Sequence, residues 1–313
     1  MSWCSATTAA LDLLGVVVQT DRDLSEFTTY RVGGPAAGFV DVSTVEQLAE
    51  VGAAIRSTGA QVLVVGKGSN LLVADGGFDG VALRLSDGFA NVEIGEPHED
   101  QAGVRCGAAS LLPVVARKTA LAGLTGFEWA VGVPGSVGGA VRMNAGGHGS
   151  DMSASLQRVS LFDLYSGVAK ECTVGQLELG YRSSAVAENH VVLWADLVLQ
   201  LGDRRKSEEQ LHEIVRWRRE HQPGGQNAGS VFANPPGDSA GRLIEQAGLS
   251  GHRLGTAEVS AKHANFIQAD DDGSADDVFD LITLIQSTVE KQFGIRLKPE
   301  NRLVGFSRIE SRP

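Results

Sequence analysis

Three short segments carry side chains whose types could do chemistry. Ser230 lies in Asn227-Ala228-Gly229-Ser230-Val231-Phe232-Ala233-Asn234-Pro235, at the start of a short extended stretch. A serine after glycine suggests a nucleophile elbow, but Gly-x-Ser-x-Gly is absent. Taken alone, the segment reads equally well as a turn. Arg182 lies in Gly180-Tyr181-Arg182-Ser183-Ser184. A guanidinium grips carboxylate or phosphate as a two-pronged fork, although a surface or ion-paired arginine is the simpler reading of this motif alone. Glu300 lies in Leu297-Lys298-Pro299-Glu300-Asn301-Arg302. A carboxylate after proline in an extended run can face a cleft, or it can simply pair with Arg302.

Two further segments carry chemistry in their backbone. Gly66-Lys67-Gly68-Ser69-Asn70 follows the apolar run Val62–Val65 directly. Consecutive amides there can cradle a pyrophosphate, and glycines let the backbone come close. The loop is neither a Rossmann fingerprint nor a P-loop, because Leu71-Leu72-Val73 continues as strand instead of opening a helix. A tight turn fits it as well. Gly132-Val133-Pro134-Gly135-Ser136-Val137-Gly138-Gly139-Ala140 is so poor in large side chains that it buries little area. It suits backbone contact with something flat or phosphorylated, and a chain of turns is the alternative. No histidine pair has metal-ligand spacing, so no metal site is expected.

Composition narrows the classes. Glycine makes up 39 of 313 residues, against an average of about 7%, and the excess falls in these loops. A formal charge of −11 repels phosphate backbones and anionic lipid, so no nucleic-acid or membrane partner is expected. Three scattered cysteines, Cys4, Cys106 and Cys172, give no disulfide framework. With no leader-like segment and no long apolar run, the expectation is a soluble cytoplasmic protein.

The elements that must position the loops can be sketched from pattern. Ala36–Val42 alternates as a strand. Ser43 opens a capping box with Glu46 at the third helical position, ahead of Leu48, Val51 and Ile55. Gly52 lies on that stripe. Strands at Val62–Val65 and Val81–Leu85 complete a β–α–β opening with parallel pairing. A second section starts near Val92. There a helix over Leu111–Leu124 turns Leu111, Val114, Val115, Leu121 and Ala122 to one face, and strands follow at Val159–Phe162 and His190–Leu201. A charged helix over Asp203–Glu220, capped by Ser207, marks a change of composition. Next come a helix at Ala240–Ala247, a strand near Ala264–Gln268 and a long helix capped by Ser274 with Val278, Leu281, Ile282, Ile285 and Val289 buried. A last strand spans Ile295–Val304. The division expected is 1–202, with subdomains near 1–88 and 89–202, then 203–313, with the last strand a candidate to return to the first region.

In this order, the motifs resemble the UDP-N-acetylenolpyruvoylglucosamine reductase (MurB) family along nearly the whole chain. Thr29-Tyr30-Arg31-Val32-Gly33-Gly34-Pro35 begins the match, and Gly241–Leu249 and Val259–Ile267 add to it. The resemblance implies an α+β fold: an FAD-binding region of the vanillyl-alcohol-oxidase type, made of two α/β subdomains, plus a C-terminal α/β substrate-binding domain. It implies that Tyr30, Gly66, Lys67, Gly68, Ser69, Asn70, Gly132, Pro134, Gly135, Ser136, Gly138, Gly139, Asn144 and Ala145 lie at the FAD. It also implies that Arg182, Ser230 and Glu300 are catalytic and that Asn234 binds the UDP-sugar. The reaction implied is NADPH-dependent, FAD-mediated reduction of UDP-N-acetylglucosamine enolpyruvate to UDP-N-acetylmuramate. Ser230 would be the proton donor, and Arg182 and Glu300 would stabilise developing charge.

The chain departs from the family in several places. Only 48 positions separate Arg182 from Ser230, as in the shorter family type, which lacks the tyrosine-bearing lid loop. His221, Ala233 and Ala269 stand where relatives often carry Lys, a basic residue and Asn. Arg218 and Arg219 could supply the missing charge for the diphosphate. Two other readings stay open: another FAD-dependent oxidase of the same fold acting on an alcohol or sugar, and a non-catalytic flavin- or nucleotide-sugar-binding protein. Oligomeric state is not set by the sequence.

Overall fold

The computed structural model describes residues 3–306. They form two compact units. The first gathers residues up to 19, 38–67 and 80–218; the second gathers 20–37, 68–79 and those from 219 on.

In the first unit, strands Pro35–Val42, Phe78–Leu85 and Gln61–Val65 lie side by side in that order. Gln61–Val65 pairs in parallel with Phe78–Leu85, so the two strands of the β–α–β opening flank a third instead of touching. The helix Val45–Thr58 buries Leu48, Val51 and Ile55 against Val40, Val62 and Leu83. Its cap is Thr44, not Ser43: the Thr44 hydroxyl accepts from Gln47 N, and the Gln47 side chain returns to Ser43 N at 2.8 Å. Gln47 thus closes the helix start on two residues, Thr44 as cap and Ser43 before it, in place of a Ser43–Glu46 box. Strand contact explains the shift, since Val42 O accepts from Ser86 N and keeps the chain extended up to Ser43. Gly52, a weak point for a helix, is required here: a Cβ would lie 2.7 Å from Leu164 O.

The rest of the first unit is an antiparallel sheet. Its order is Val168–Thr173, Leu156–Asp163, His190–Leu201, Gln101–Gly107, Val92–Ile94, and Leu124–Thr125 also pairs with the central strand. The helix beside it runs Leu112–Leu121 and buries Leu112, Val115, Ala116, Thr119 and Ala120. Leu111 and Val114 are 40% and 43% exposed, and Leu121 and Ala122 are exposed too. The expected face was thus rotated. Pro113 fixes the start at Leu112, and Leu124 leaves for the sheet, so the 3.6-residue stripe runs from Leu112.

The charged helix is Arg204–His221. Its first amides are met by the Asp203 carboxylate, which accepts from Arg205 N and Lys206 N at 2.8 and 3.2 Å. Ser207 is inside the helix and is no cap. It is buried and donates to Glu128 Oε1 at 2.6 Å. Glu128, 4% exposed, also accepts from Thr125 Oγ1 and Gly126 N. Burial pushes this carboxyl upward, but the donors, Ser207 first among them, outweigh it and hold it below the usual carboxylate range.

In the second unit, Arg253–Leu254, Ala257–Val259 and Ile267–Ala269 form a small antiparallel sheet. The strand expected near Ala264–Gln268 is displaced because Phe266 N turns back to His263 O. The helix Ala275–Phe293 is capped by Ser274 and ends at Gly294, and it buries Val278, Leu281, Ile282, Ile285 and Val289. The last strand is shorter than expected. Arg302–Val304 pairs in parallel with Leu71–Val73, and residue 299 makes only an isolated bridge to Phe232. The bridge does not grow into a ladder, because Val231 N donates to Asn265 O at 2.8 Å instead of to residue 300. No helix among the described residues is long and apolar enough to cross a membrane.

The lowered pKa of Glu128 gives stability that is fully present above the unfolded-state carboxylate value and is lost as pH falls through the folded value. Ser207→Ala should cost about 1.5–3 kcal/mol at neutral pH, as for a bond to a charged acceptor. Urea midpoints of the two proteins should converge as pH drops below the carboxylate range. A gap that persists in acid would mean that Ser207 matters through packing alone.

Candidate active site

The first unit contains a cleft of about 570 Å3, within the usual range for small-molecule sites. Gly66 and Lys67 enter it from the end of Gln61–Val65, and Ser136, Gly138 and Gly139 from the second glycine segment. Bare backbone makes this arrangement possible. A Cβ on Gly66 would lie 2.8 Å from Ser136 Oγ, and one on Gly138 would lie 3.0 Å from Ala108 Cβ. Gly138 N donates to Ala108 O at 2.9 Å, and Ser136 Oγ accepts from Gly139 N.

The opposite character comes from Leu111 and Val114, two exposed apolar side chains at the start of the helix. Arg142 also reaches the cleft; it is held by donation to Ala187 O at 2.8 Å, and its own carbonyl accepts from Ser184 Oγ at 2.6 Å. A site with small-residue walls, cations and an apolar side suits a ligand that is both flat and anionic. Leu111, Val114 and Arg142 were not expected at the site from sequence. Only the cation inside a glycine run was a signal; Leu111 and Val114 read as part of the helix's apolar face.

Several residues expected at the cofactor have other partners. Gly132 packs on His148 and Ile214, and Gly135 O accepts from Leu112 N. Pro134 and Ala145 are outside the cleft walls, and Ala145 N bonds to Ala140 O. Gly68, with φ of 66°, would drive a Cβ to 1.9 Å from Phe27 O. Ser69 is half-buried. Tyr30 is fully buried in the core of the second unit, which pushes its phenol far up. Asn70 donates to Glu300 O at 2.9 Å.

Arg182 occupies a turn closed by reciprocal bonds between Gly180 and Ser183. Its φ of 54° is left-handed, which costs a non-glycine residue about 1–2 kcal/mol. The guanidinium donates to Gly146 O at 2.9 Å and lies 5.3 Å from the Tyr181 ring. Asn144 ties this turn to the next. Its Nδ2 donates to Gly180 O and Asp151 Oδ2, and its Oδ1 accepts from Ser153 N. The hairpin Gly146–Gly147 with Ser150–Asp151 turns at His148 and Gly149, both at positive φ. His148 meets Trp217 edge-on at 5.1 Å. Burial, then the nearby Arg218 cation, holds its imidazole below the usual value. Arg218 is half-buried; Arg219, exposed, offers its carbonyl to Lys262 Nζ.

Ser230 and Glu300 both belong to the second unit, which brings their segments together. Glu300 N donates to Val231 O at 2.8 Å and Ala233 N to Lys298 O at 2.9 Å, on either side of the Phe232–Pro299 bridge. Phe232, 1% exposed, anchors the bridge, while Ser230 and Glu300 are half-buried. The backbone pairing thus sets the segment of Glu300 alongside Val231, next to Ser230. Asn234 Oδ1 accepts from Ala240 N at the start of the helix Ala240–Gln246. Among the described residues, no cluster of three His, Cys, Asp or Glu side chains could hold a metal ion.

Comparison with known proteins covers both units. The FAD binding domain family matches residues 36–173, which include the cleft loops. The family described as UDP-N-acetylenolpyruvoylglucosamine reductase, C-terminal domain, matches 221–304, which include Ser230 and Glu300. A UDP-N-acetylenolpyruvoylglucosamine reductase of Synechococcus sp. (strain WH7803) is 39% identical, over 98% of this chain and 99% of the relative. One from Clostridium botulinum (strain Alaska E43 / Type E3) is 38% identical, over 92% and 93%. The crystal structure of the Thermus caldophilus reductase, MurB, superposes with a TM-score of 0.79 at 35% identity, over 92% of this chain and 99% of that one. The chain belongs to the UDP-N-acetylenolpyruvoylglucosamine reductase family.

Proposed function

We propose that this protein reduces the enolpyruvyl group of UDP-N-acetylglucosamine enolpyruvate to UDP-N-acetylmuramate, with NADPH as reductant, in peptidoglycan precursor synthesis. FAD is its cofactor. The observation that carries the reading is the pairing of the Ser230 and Glu300 segments, in a chain whose other unit has a glycine-walled cleft with one apolar side. Bound there, FAD would pass two electrons as hydride from NADPH to the substrate double bond.

The chain's own groups bind and protonate. Bare backbone at Gly66, Gly138 and Gly139 lets the diphosphate of the cofactor come close, Lys67 supplies positive charge, and Leu111 and Val114 offer an apolar wall. Reduction at the outer carbon leaves negative charge on its neighbour and on the attached carboxylate. Arg182 meets that charge with its fork, and Glu300 meets it as a protonated acid or hydrogen-bond partner. Ser230 Oγ then gives its proton to the carbon beside the carboxylate. Serine is a weak acid, but a carbanion is a strong base, so the transfer runs downhill. Asn234, Arg218 and Arg219 bind the UDP-sugar, the arginines at its diphosphate. The substrate domain is the C-terminal part of the chain, and the reaction takes place in the cytoplasm.

Three outcomes test this. The purified protein should be yellow and should oxidise NADPH only when the enolpyruvyl substrate is present; failure of that dependence sinks the reading. In Ser230→Ala, reduction of the bound flavin by NADPH should survive, while its reoxidation by substrate falls by about 10²-fold or more. Equal loss of both half-reactions would make Ser230 structural. Gly66→Ala should weaken flavin retention by about tenfold, one 1.4 kcal/mol step, as read from flavin absorbance per chain after gel filtration. Gly103→Ala, where a Cβ meets nothing within 4 Å, should retain it.

A further inference from the structure

Three asparagine side chains hold the main chain around Ser230 and Glu300, and the proposed reaction uses none of them. Asn70 donates from Nδ2 to Glu300 O at 2.9 Å, and its Oδ1 accepts from Asn301 Nδ2 at 3.1 Å. Asn301, 5% exposed, reaches Ala228 O with the same nitrogen at 3.4 Å, two residues before Ser230. Arg302 N donates to Asn70 O at 2.8 Å, so main chain and side chain of Asn70 grip the same segment. Asn265 brackets Phe232, accepting from its N at 3.0 Å and donating to its O at 2.8 Å. All of these residues lie in the second unit.

The motif around Asn70 points by resemblance to the cofactor, but its side-chain amide donates to Glu300 O and accepts from Asn301. We infer that Asn70 and Asn301 are positioning residues for the reduction. Together they fix the distance of Glu300 from Ser230 by tying residues 70, 228 and 300 through two side-chain amides. Only an amide can do this: Asn301 must donate twice and Asn70 must donate and accept. Aspartate would present an acceptor to Glu300 O, and glutamine would add a methylene to a buried link. The inference rests on the reading of Ser230 and Glu300 as the reacting groups.

The test uses the FAD-loaded enzyme and reads flavin affinity and the two half-reactions separately. In Asn70→Ala, flavin affinity and the rate of flavin reduction by NADPH should stay within about twofold of wild type, while reoxidation by the enolpyruvyl substrate falls about 10- to 100-fold, as for a catalytic group displaced by about an ångström. The loss should appear in kcat more than in KM. Adding Asn70→Ala to Glu300→Ala should cost nothing further, because the asparagine acts through the glutamate. If Asn70→Ala does not fold, Asn70→Asp is read in its place, since it keeps the acceptor for Asn301 and removes the donor to Glu300 O. Loss of flavin, equal slowing of both half-reactions, or losses that multiply in the double variant overturn the inference. Failure of the underlying reading would look different: Glu300→Ala alone would reoxidise at the wild-type rate.

Discussion

Proline at position 299 cannot donate a ladder hydrogen bond, and this missing donor governs where the second unit can join its segments. In an antiparallel pair, residues alternate between hydrogen-bonded and non-bonded positions. Phe232 and Pro299 occupy a non-bonded position, because the flanking bonds come from Glu300 N and Ala233 N. There the absent N–H costs nothing. A slip of one residue would place proline where a donor is needed and would send Phe232, 1% exposed, toward the other face. The bridge is short, yet its register is fixed by one imino acid and one buried ring. Glu300 therefore meets Val231, next to Ser230, and nowhere else.

Much of the fold was legible in the sequence because burial has a period. The stripe from Val278 to Val289 and its Ser274 cap are local facts that a linear reading captures. What failed was register. Ser43 and Thr44 are both good caps, and only the strand contact at Val42 chooses between them. Leu111 and Val114 look like core residues because apolar side chains facing a cleft and apolar side chains facing a core are the same letters. Ser207 looks like a cap, and its true partner, Glu128, is 79 positions away.

The site was legible in a different way. Single motifs were ambiguous, and the order of motifs pointed to the family. Side-chain use was not readable. Gly66, Lys67, Ser136, Gly138 and Gly139 do line one cleft, whereas Gly68 and Asn144 serve the packing of neighbouring turns. Glycine-rich stretches mix two purposes: some positions leave space for a ligand, and others let protein backbone touch protein backbone. Only three-dimensional neighbours tell them apart.

The parallel pairing of Arg302–Val304 with Leu71–Val73 has a consequence for the order in which the molecule is made. A ribosome releases residues 20–37 and 68–79 early, but their partners in the second unit come from residue 219 onward. These segments must wait, with Tyr30, Val32 and Leu72 lacking the core that finally buries them. Non-local pairings of this kind form slowly and leave apolar surface open in the meantime. The second unit therefore closes only once Arg302–Val304 has been made, and a chain cut short before Arg302 would keep its first unit's strands yet lose the edge partner of Leu71–Val73. The Ser230 segment can meet its partner only once Glu300 itself has been made, 230 positions after Asn70.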